Sequence, residues 1–160
     1  MFGINIIFVG GEKEAYFKSA ADEYIKRLSK FCKFSEKSLK DEKLSDNPTD
    51  NEIKTALDKE AQRIKTSLPQ KSYKIAMCIE GKELTSNQFA ELLNFLPDKG
   101  YSNATFLIGS SCGLSEEIKN QCDLRLSMSK MTFPHRLARI MLLEQIYRAI
   151  QISIGTKYHK

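Results

Sequence analysis

Histidine is scarce in this chain, with two among 160 residues, and cysteine is nearly so, with four. Cys32, Cys78, Cys112 and Cys122 form no CxxC pair, and His135 and His159 lie far from most of them. A structural zinc site needs tighter ligand spacing, so the thiols read as reduced structural residues and no metal is expected. No apolar run approaches a membrane span. INIIFV covers only residues 4–9, too short for a transmembrane helix or a signal segment. A cytoplasmic protein with no membrane partner is therefore expected. Also missing are the GxGxxG of a dinucleotide fold, the Lys-Ser/Thr of a P-loop and an acidic metal cluster, which together exclude a nucleoside triphosphate site. There is no internal repeat, low-complexity tract or interdomain linker. Residues 1–160 thus read as one domain with room for a substantial core.

What is present is ordinary in bulk: 41% hydrophobic and 28% charged residues, with a net charge of +5. That charge suits a polyanionic partner, but many lysine-rich proteins bind no nucleic acid. The pattern along the chain says more. A strand over residues 4–11 leads to a helix with Ala15, Tyr16, Ala20, Tyr24, Ile25 and Leu28 at intervals of three and four. A strand near residues 31–34 precedes a polar, lysine-rich segment that reads as a mobile loop up to Pro48. Thr49 or Asp50 can cap a helix running to Thr66, with Ile53, Leu57, Ala61 and Ile64 on one face.

The second half alternates more cleanly. YKIAMCIEG (73–81) reads as a buried strand closed by Gly81. A helix over 86–96 follows, ended by Pro97 and Gly100. ATFLIG (104–109) is a further buried strand, and a short helix and a last strand lead into the terminal helix. Nearly continuous apolar strands alternating with helices point to an α/β fold, a mainly parallel sheet with helices on both faces. At 100° per residue, Ala138, Ile140, Leu142, Leu143, Ile146, Tyr147, Ala149, Ile150 and Ile154 of the terminal helix share an arc on the order of 200° wide. Such a helix is either sunk deep in the core or covers its own sheet and also meets a partner subunit. The second reading, a homodimer, is favoured. Arg139 falls near the middle of the arc, so it must pair, reach a rim or face an anion.

Ligands in open α/β sheets settle outside the carboxyl ends of the strands. Three loops leave such ends: CIEGK (78–82), IGSSCGLS (108–115) and SMSKMTFPH (127–135). The first two can be plain turns, with Ser115 capping a short helix. In the third, Pro134 suits the first position of a helix and Thr132 can cap it. Ser127, Met128, Ser129 and Met131 also offer hydroxyls, backbone groups and soft apolar surface together. That mixture fits a flat heteroaromatic ring held by its edge and gripped on its faces.

FLIGSSCGLS, LSMSKMTFPHRLARIMLLEQIYRA and the ending GTKYHK resemble the bacterial pseudouridine N3-methyltransferases of 23S ribosomal RNA, within the SPOUT class of S-adenosylmethionine enzymes. The resemblance covers essentially the whole chain and is most specific from Leu126 onward. It implies a carboxyl-terminal trefoil knot, a homodimer, and S-adenosylmethionine held by the three loops. Carried over residue by residue, the cofactor contacts fall on Met77, Gly109, Met128, Ser129, Lys130, Met131, Thr132 and Phe133. The family commonly has Gly-Gly where this chain has Gly109-Ser110, and a β-carbon there narrows the backbone's options if the position needs positive φ. The implied substrate is 23S ribosomal RNA, free or in the assembled ribosome.

Methyl transfer to an imide nitrogen needs an in-line geometry and a way to remove the imide proton or stabilise the anionic ring. The resemblance assigns Tyr158 and His159, in the closing tail, to substrate positioning and proton transfer. Arg139 and Arg148 are candidates for holding phosphate or developing negative charge, or else structural ion-pair partners. Lysines of the first helix and of residues 36–43 would contact RNA nonspecifically. Two alternatives stand beside this reading: another SPOUT enzyme with a different RNA target, and a non-catalytic RNA-binding or ribosome assembly factor.

Overall fold

A computed structural model describes residues 1–11 and 13–159. Five strands, β1 (Gly3–Val9), β2 (Lys33–Leu39), β3 (Ser72–Glu83), β4 (Asn103–Ile108) and β5 (Leu124–Ser127), form one sheet in the order β2-β1-β4-β3-β5. Every pairing is parallel. Five helices cover it: α1 (Ala15–Leu28), α2 (Asp50–Ser67), α3 (Ser86–Phe95), α4 (Glu116–Asn120) and α5 (His135–Ser153). The pleat divides the apolar strand residues between two cores. Ile4, Ile6, Phe8, Ile75, Phe106 and Ile108 face α1, α3 and α5. Ile7, Val9, Ala76 and Leu107 face α2 and α4. This accounts for the unbroken apolar strands: both faces of the sheet are dry.

Local signals set most boundaries. Thr49 caps α2 and Thr85 caps α3, each through a capping box closed by Glu52 and Gln88 respectively. Past α3, a short 3-10 turn (Pro97–Lys99) ends on Gly100 at φ 85°.

Four expectations need correction. The second strand is not confined to residues 31–34 but runs over Lys33–Leu39, so residues 35–39 of the expected loop belong to an edge strand. Its place at the edge explains its polar look: Phe34 packs on one core and Leu39 on the other, while Lys33, Ser35, Lys37 and Ser38 stay exposed. The remaining stretch, 40–48, is tied to α2 where Glu60 accepts the Glu42 N–H at 3.0 Å and Arg63 pairs with Glu42. Gly81 does not close β3, which continues to Glu83 past a register shift between Met77 and Lys82. A β-carbon on Gly81 would lie 2.7 Å from backbone atoms of Arg125 and Leu126, so this glycine permits a close passage of two chain segments. Finally, α5 starts at His135, with Pro134 as its N-cap residue at ψ 137° and no side-chain cap. Thr132 therefore does not cap it, and Pro134 sits one position earlier than expected.

The wide apolar arc of α5 has an internal explanation. Both α1 and α3 pack against it while it lies on the sheet. Leu142, Leu143, Ile146 and Ala149 are wholly covered within one chain. Arg139 is 4% exposed and takes the pairing option: its Nε donates to Glu36 at 2.7 Å, with Nη2 completing a fork onto the same carboxylate, and its guanidinium lies 4.5 Å over the Phe8 ring.

Candidate cofactor-binding site

Strands β4, β3 and β5 are neighbours in the sheet, and the loops leaving β4 and β5 meet residues 77–80, at the register shift within β3, around a cavity of about 660 Å³. That is the size range of small-molecule sites. Met77, Gly109, Met128, Ser129, Met131, Thr132 and Phe133 all line it. Lys130 does not; it lies exposed beside the loop. Apolar walls come from Met77, Ile108, Leu114, Met128 and Phe133, with hydroxyls from Ser127 and Ser129 between them.

The loops are held by their own hydrogen bonds. Ser127 Oγ donates to the Ser129 carbonyl at 2.9 Å, and Ser129 Oγ accepts the Met131 N–H at 3.0 Å. Residues 109–113 form a tight turn: the Gly113 N–H donates to the Ser110 carbonyl at 2.8 Å, with Gly113 at φ 81°. A β-carbon on Gly109 would fall 2.2 Å from the Gly113 carbonyl group, so no other residue fits there. Ser110 is not strained by its side chain, since Lys71 is the only non-glycine with positive φ among the described residues. Its hydroxyl donates to Glu60 at 2.9 Å.

Several lining residues escaped sequence reasoning. Glu80 and Lys119 stand at the cavity wall as a pair 2.5 Å apart, and Lys119 also reaches Glu116 at 3.3 Å. Donation by Lys119 holds the Glu80 carboxyl below the usual carboxylate range. Burial opposes the Lys119 charge, yet Glu80 and Glu116 keep its ammonium above its ordinary value. His135 lines the cavity and is half-buried, with its Nε2 close to Gly10. Burial, and then Arg136, push its imidazole below the ordinary histidine range, so it is neutral at physiological pH. Glu80 had a signal, its place in the CIEGK segment beside Gly81. Lys119 had none, because only the fold brings α4 to this wall.

The candidate catalytic residues gather elsewhere. None of Arg139, Arg148, Tyr158 and His159 lines the cavity. Arg148 forks onto Glu144 at 2.9 and 2.7 Å, and Tyr158 donates its hydroxyl to the same carboxylate at 3.2 Å. The Tyr158 ring packs edge-on against Tyr147 with centroids 5.0 Å apart, under the Arg148 guanidinium at 4.8 Å. Burial, and then the Glu144 charge, push the Tyr158 phenol up to about 12. Arg148 also approaches His159 Nδ1 at 3.4 Å. Lys160, which completes the closing Tyr-His-Lys, lies outside the described residues. A second cavity of about 620 Å³ lies beside Glu144 and Tyr24 and shares Ser127 and Met128 with the first.

Cys32 and Cys122 have thiols pushed up to about 11 by burial, and all four cysteines are free. Among the described residues no group of three or more His, Cys, Asp or Glu could hold a metal, and no helix is long and apolar enough to cross a membrane.

Residues 2–159 match the family model described as "Predicted SPOUT methyltransferase". Two curated relatives, both called "Ribosomal RNA large subunit methyltransferase H", come from Streptococcus thermophilus and Clostridium novyi. Each is 47% identical over 157 residues, spanning 98% of this chain and 99% of the relative. Among solved structures, a probable methylase family protein from Haemophilus influenzae Rd KW20 superposes with a TM-score of 0.58 at 12% identity, over 98% of this chain and 70% of the other. A probable methyltransferase from Bordetella pertussis Tohama I does so with 0.57 at 15% identity, over 92% and 95%. These two likenesses concern the fold.

Proposed function

The chain belongs to the SPOUT methyltransferase family, and from that premise we propose that it transfers a methyl group from S-adenosylmethionine to ribosomal RNA of the large subunit. The observation that carries this reading is the meeting of the loops after β4 and β5 with residues 77–80 of β3 around one cavity, whose lining combines apolar side chains with hydroxyl groups. The finer assignment is N3 of a pseudouridine in 23S ribosomal RNA, made by a cytoplasmic homodimer of single-domain subunits with a knotted carboxyl-terminal part. The absence of room at Gly81, where β3 passes in backbone contact with Arg125 and Leu126, supports the knot.

The residues present suit the cofactor. Gly109 lets the 109–113 turn fold back on itself at the cavity wall, and Met77, Met128 and Phe133 offer soft faces for an adenine ring. Ser129, Met131 and Thr132 present polar and backbone groups along the ring edge, and Glu80 and Lys119 carry the charge that a zwitterionic amino acid end requires. Lys130, exposed next to this loop, is better placed to meet RNA phosphate. When bound, S-adenosylmethionine supplies an electrophilic methyl group, so the protein's task is orientation and proton management. His135, neutral and at the cavity wall, can accept a proton there.

Tyr158, His159 and Arg148 stand apart from the cavity of their own chain, which supports a site shared between subunits. In a homodimer the tail of one subunit positions the base over the cavity of the other, with Arg148 stabilising negative charge on the ring. Calorimetric titration with S-adenosylmethionine should show one saturable site per chain, and the absence of heat at millimolar ligand would sink the cofactor reading. Methylation of assembled ribosomes against naked RNA, read by mass spectrometry of the modified base, tests the substrate. Methyl on any base other than pseudouridine would overturn the finer assignment.

A further inference from the structure

Outside the cavity, one buried carboxylate has no role in the chemistry just described. Glu60 of α2 is 3% exposed, on the α2 side of the sheet. Its two oxygens are both engaged: Oε1 accepts the Glu42 N–H at 3.0 Å, and Oε2 accepts the Ser110 hydroxyl at 2.9 Å. Ser110 belongs to the tight turn 109–113 that forms one wall of the cavity. A single side chain thus bridges the loop after β2, helix α2 and the cavity wall.

We propose that Glu60 is a positioning residue for cofactor binding, acting through Ser110 to hold the 109–113 turn in its ligand-ready shape. The turn's internal staple, Gly113 N–H to Ser110 carbonyl, fixes its curvature but not its tilt relative to the sheet. The Ser110–Glu60 bond supplies an outside anchor, and α2 is a rigid body to anchor to, packed through Ala61 and Ile64 into the core. A wall displaced by even a fraction of an ångström would loosen a site that residues 109–113 line.

The anchor depends on charge state. Both oxygens act as acceptors, which suits the ionised carboxylate; a proton on Oε2 would compete with the Ser110 hydroxyl. Burial pushes Glu60 up from the ordinary carboxylate range, opposed by the Glu42 N–H and Ser110 hydrogen bonds. Asp41, on the loop after β2, raises it further, while Arg63 on α2 lowers it. Glu42 of the same loop is engaged by Arg63. Acidification should therefore release the anchor at a higher pH than an exposed glutamate would titrate.

The inference rests on the cofactor reading and is tested with the demethylated product, S-adenosylhomocysteine, titrated calorimetrically into the full-length chain and three variants. Ser110→Ala should weaken binding about fivefold, and Glu60→Gln, which keeps shape but loses charge, about threefold. The double variant should be no weaker than Ser110→Ala alone, because both changes cut the same link. The affinity of the parent chain should fall on acidification, beginning above the ordinary carboxylate range. His135 also gains a proton on acidification, so the diagnostic quantity is the part of the slope that Glu60→Gln removes. Melting curves without ligand establish that each variant is folded.

All variants within twofold of the parent would overturn the proposal. Losses that multiply in the double variant, or a slope unchanged in Glu60→Gln, would do the same. A parent chain that binds no ligand at millimolar concentration overturns the cofactor reading itself, and the proposal with it.

Discussion

The cavity loops and the carboxyl-terminal cluster are built from opposite materials. At the cavity, shape is made by backbone: Gly109 against Gly113, Gly81 against the Arg125–Leu126 segment, and Ser hydroxyls closing short turns. At the cluster, shape is made by long side chains: one carboxylate, Glu144, gathers Arg148 and Tyr158, with Tyr147 beneath. Backbone walls cannot adapt without moving the chain, which suits a ligand whose shape never changes. Rotamer-rich side chains can re-form around a variable macromolecule. Under the proposed function, the difference between the regions is one between holding a cofactor and handling a substrate.

That contrast can be broken by experiment. The largest effect is expected from deleting residues 158–160. Methylation should fall by about a hundredfold or more, as when a positioned proton-transfer group is lost, while cofactor affinity stays within twofold. Surviving activity would remove the tail from the chemistry. Gly109→Ala should do the reverse and strike binding first, weakening the cofactor about a hundredfold by calorimetry, because its β-carbon meets carbonyl backbone at 2.2 Å. Unaltered binding would mean that the 109–113 turn has freedom the packing denies.

A third test separates both regions from the scaffold. Glu36→Ala strips a carboxylate from buried Arg139 and should cost about 3 kcal/mol in urea unfolding. Cofactor affinity measured on the folded fraction should barely change. A large loss of affinity would make Arg139 part of the site rather than a structural pair.

The smallest effect concerns one proton. Glu144→Gln should bring the Tyr158 phenol down from about 12 toward its ordinary 10, seen as tyrosinate absorbance appearing at lower pH. The sign follows from linkage. With its folded value raised, Tyr158 favours the folded state fully below pH 10, and that contribution disappears as pH climbs toward 12. An unchanged titration would show that burial alone sets the phenol.

The sheet was legible because both of its faces are dry: parallel strands covered on each side read as unbroken apolar runs, and the Thr49 and Thr85 boxes mark helix starts plainly. The edge strand β2 was not legible. Half its residues face solvent, so KFSEKSL carries the composition of a loop. The site divided in the same way. The loop 127–135 announced itself by its mixture of hydroxyl and thioether groups, and the fold brought every residue expected to hold the cofactor except Lys130 to the cavity wall. Lys119 and Glu60 gave no sign, since their places come from α4 and α2 packing on the far face of the sheet. The breadth of the α5 arc is met in part within the chain: α1 and α3 flank the helix and cover its middle, while Ile154 at its end is 54% exposed.

Sequence by itself determined the class of fold, the starts of α2 and α3 and the loops after β4 and β5, because those follow from short-range periodicity and turn chemistry. Only the tertiary structure decided that Arg139 is locked to Glu36, that the tail cluster stands apart from the cavity of its own chain, and that a carboxylate on α2 anchors the cavity wall. Those are pairings between residues 103, 14 and 50 positions apart, and no local pattern encodes which distant charge a side chain will meet.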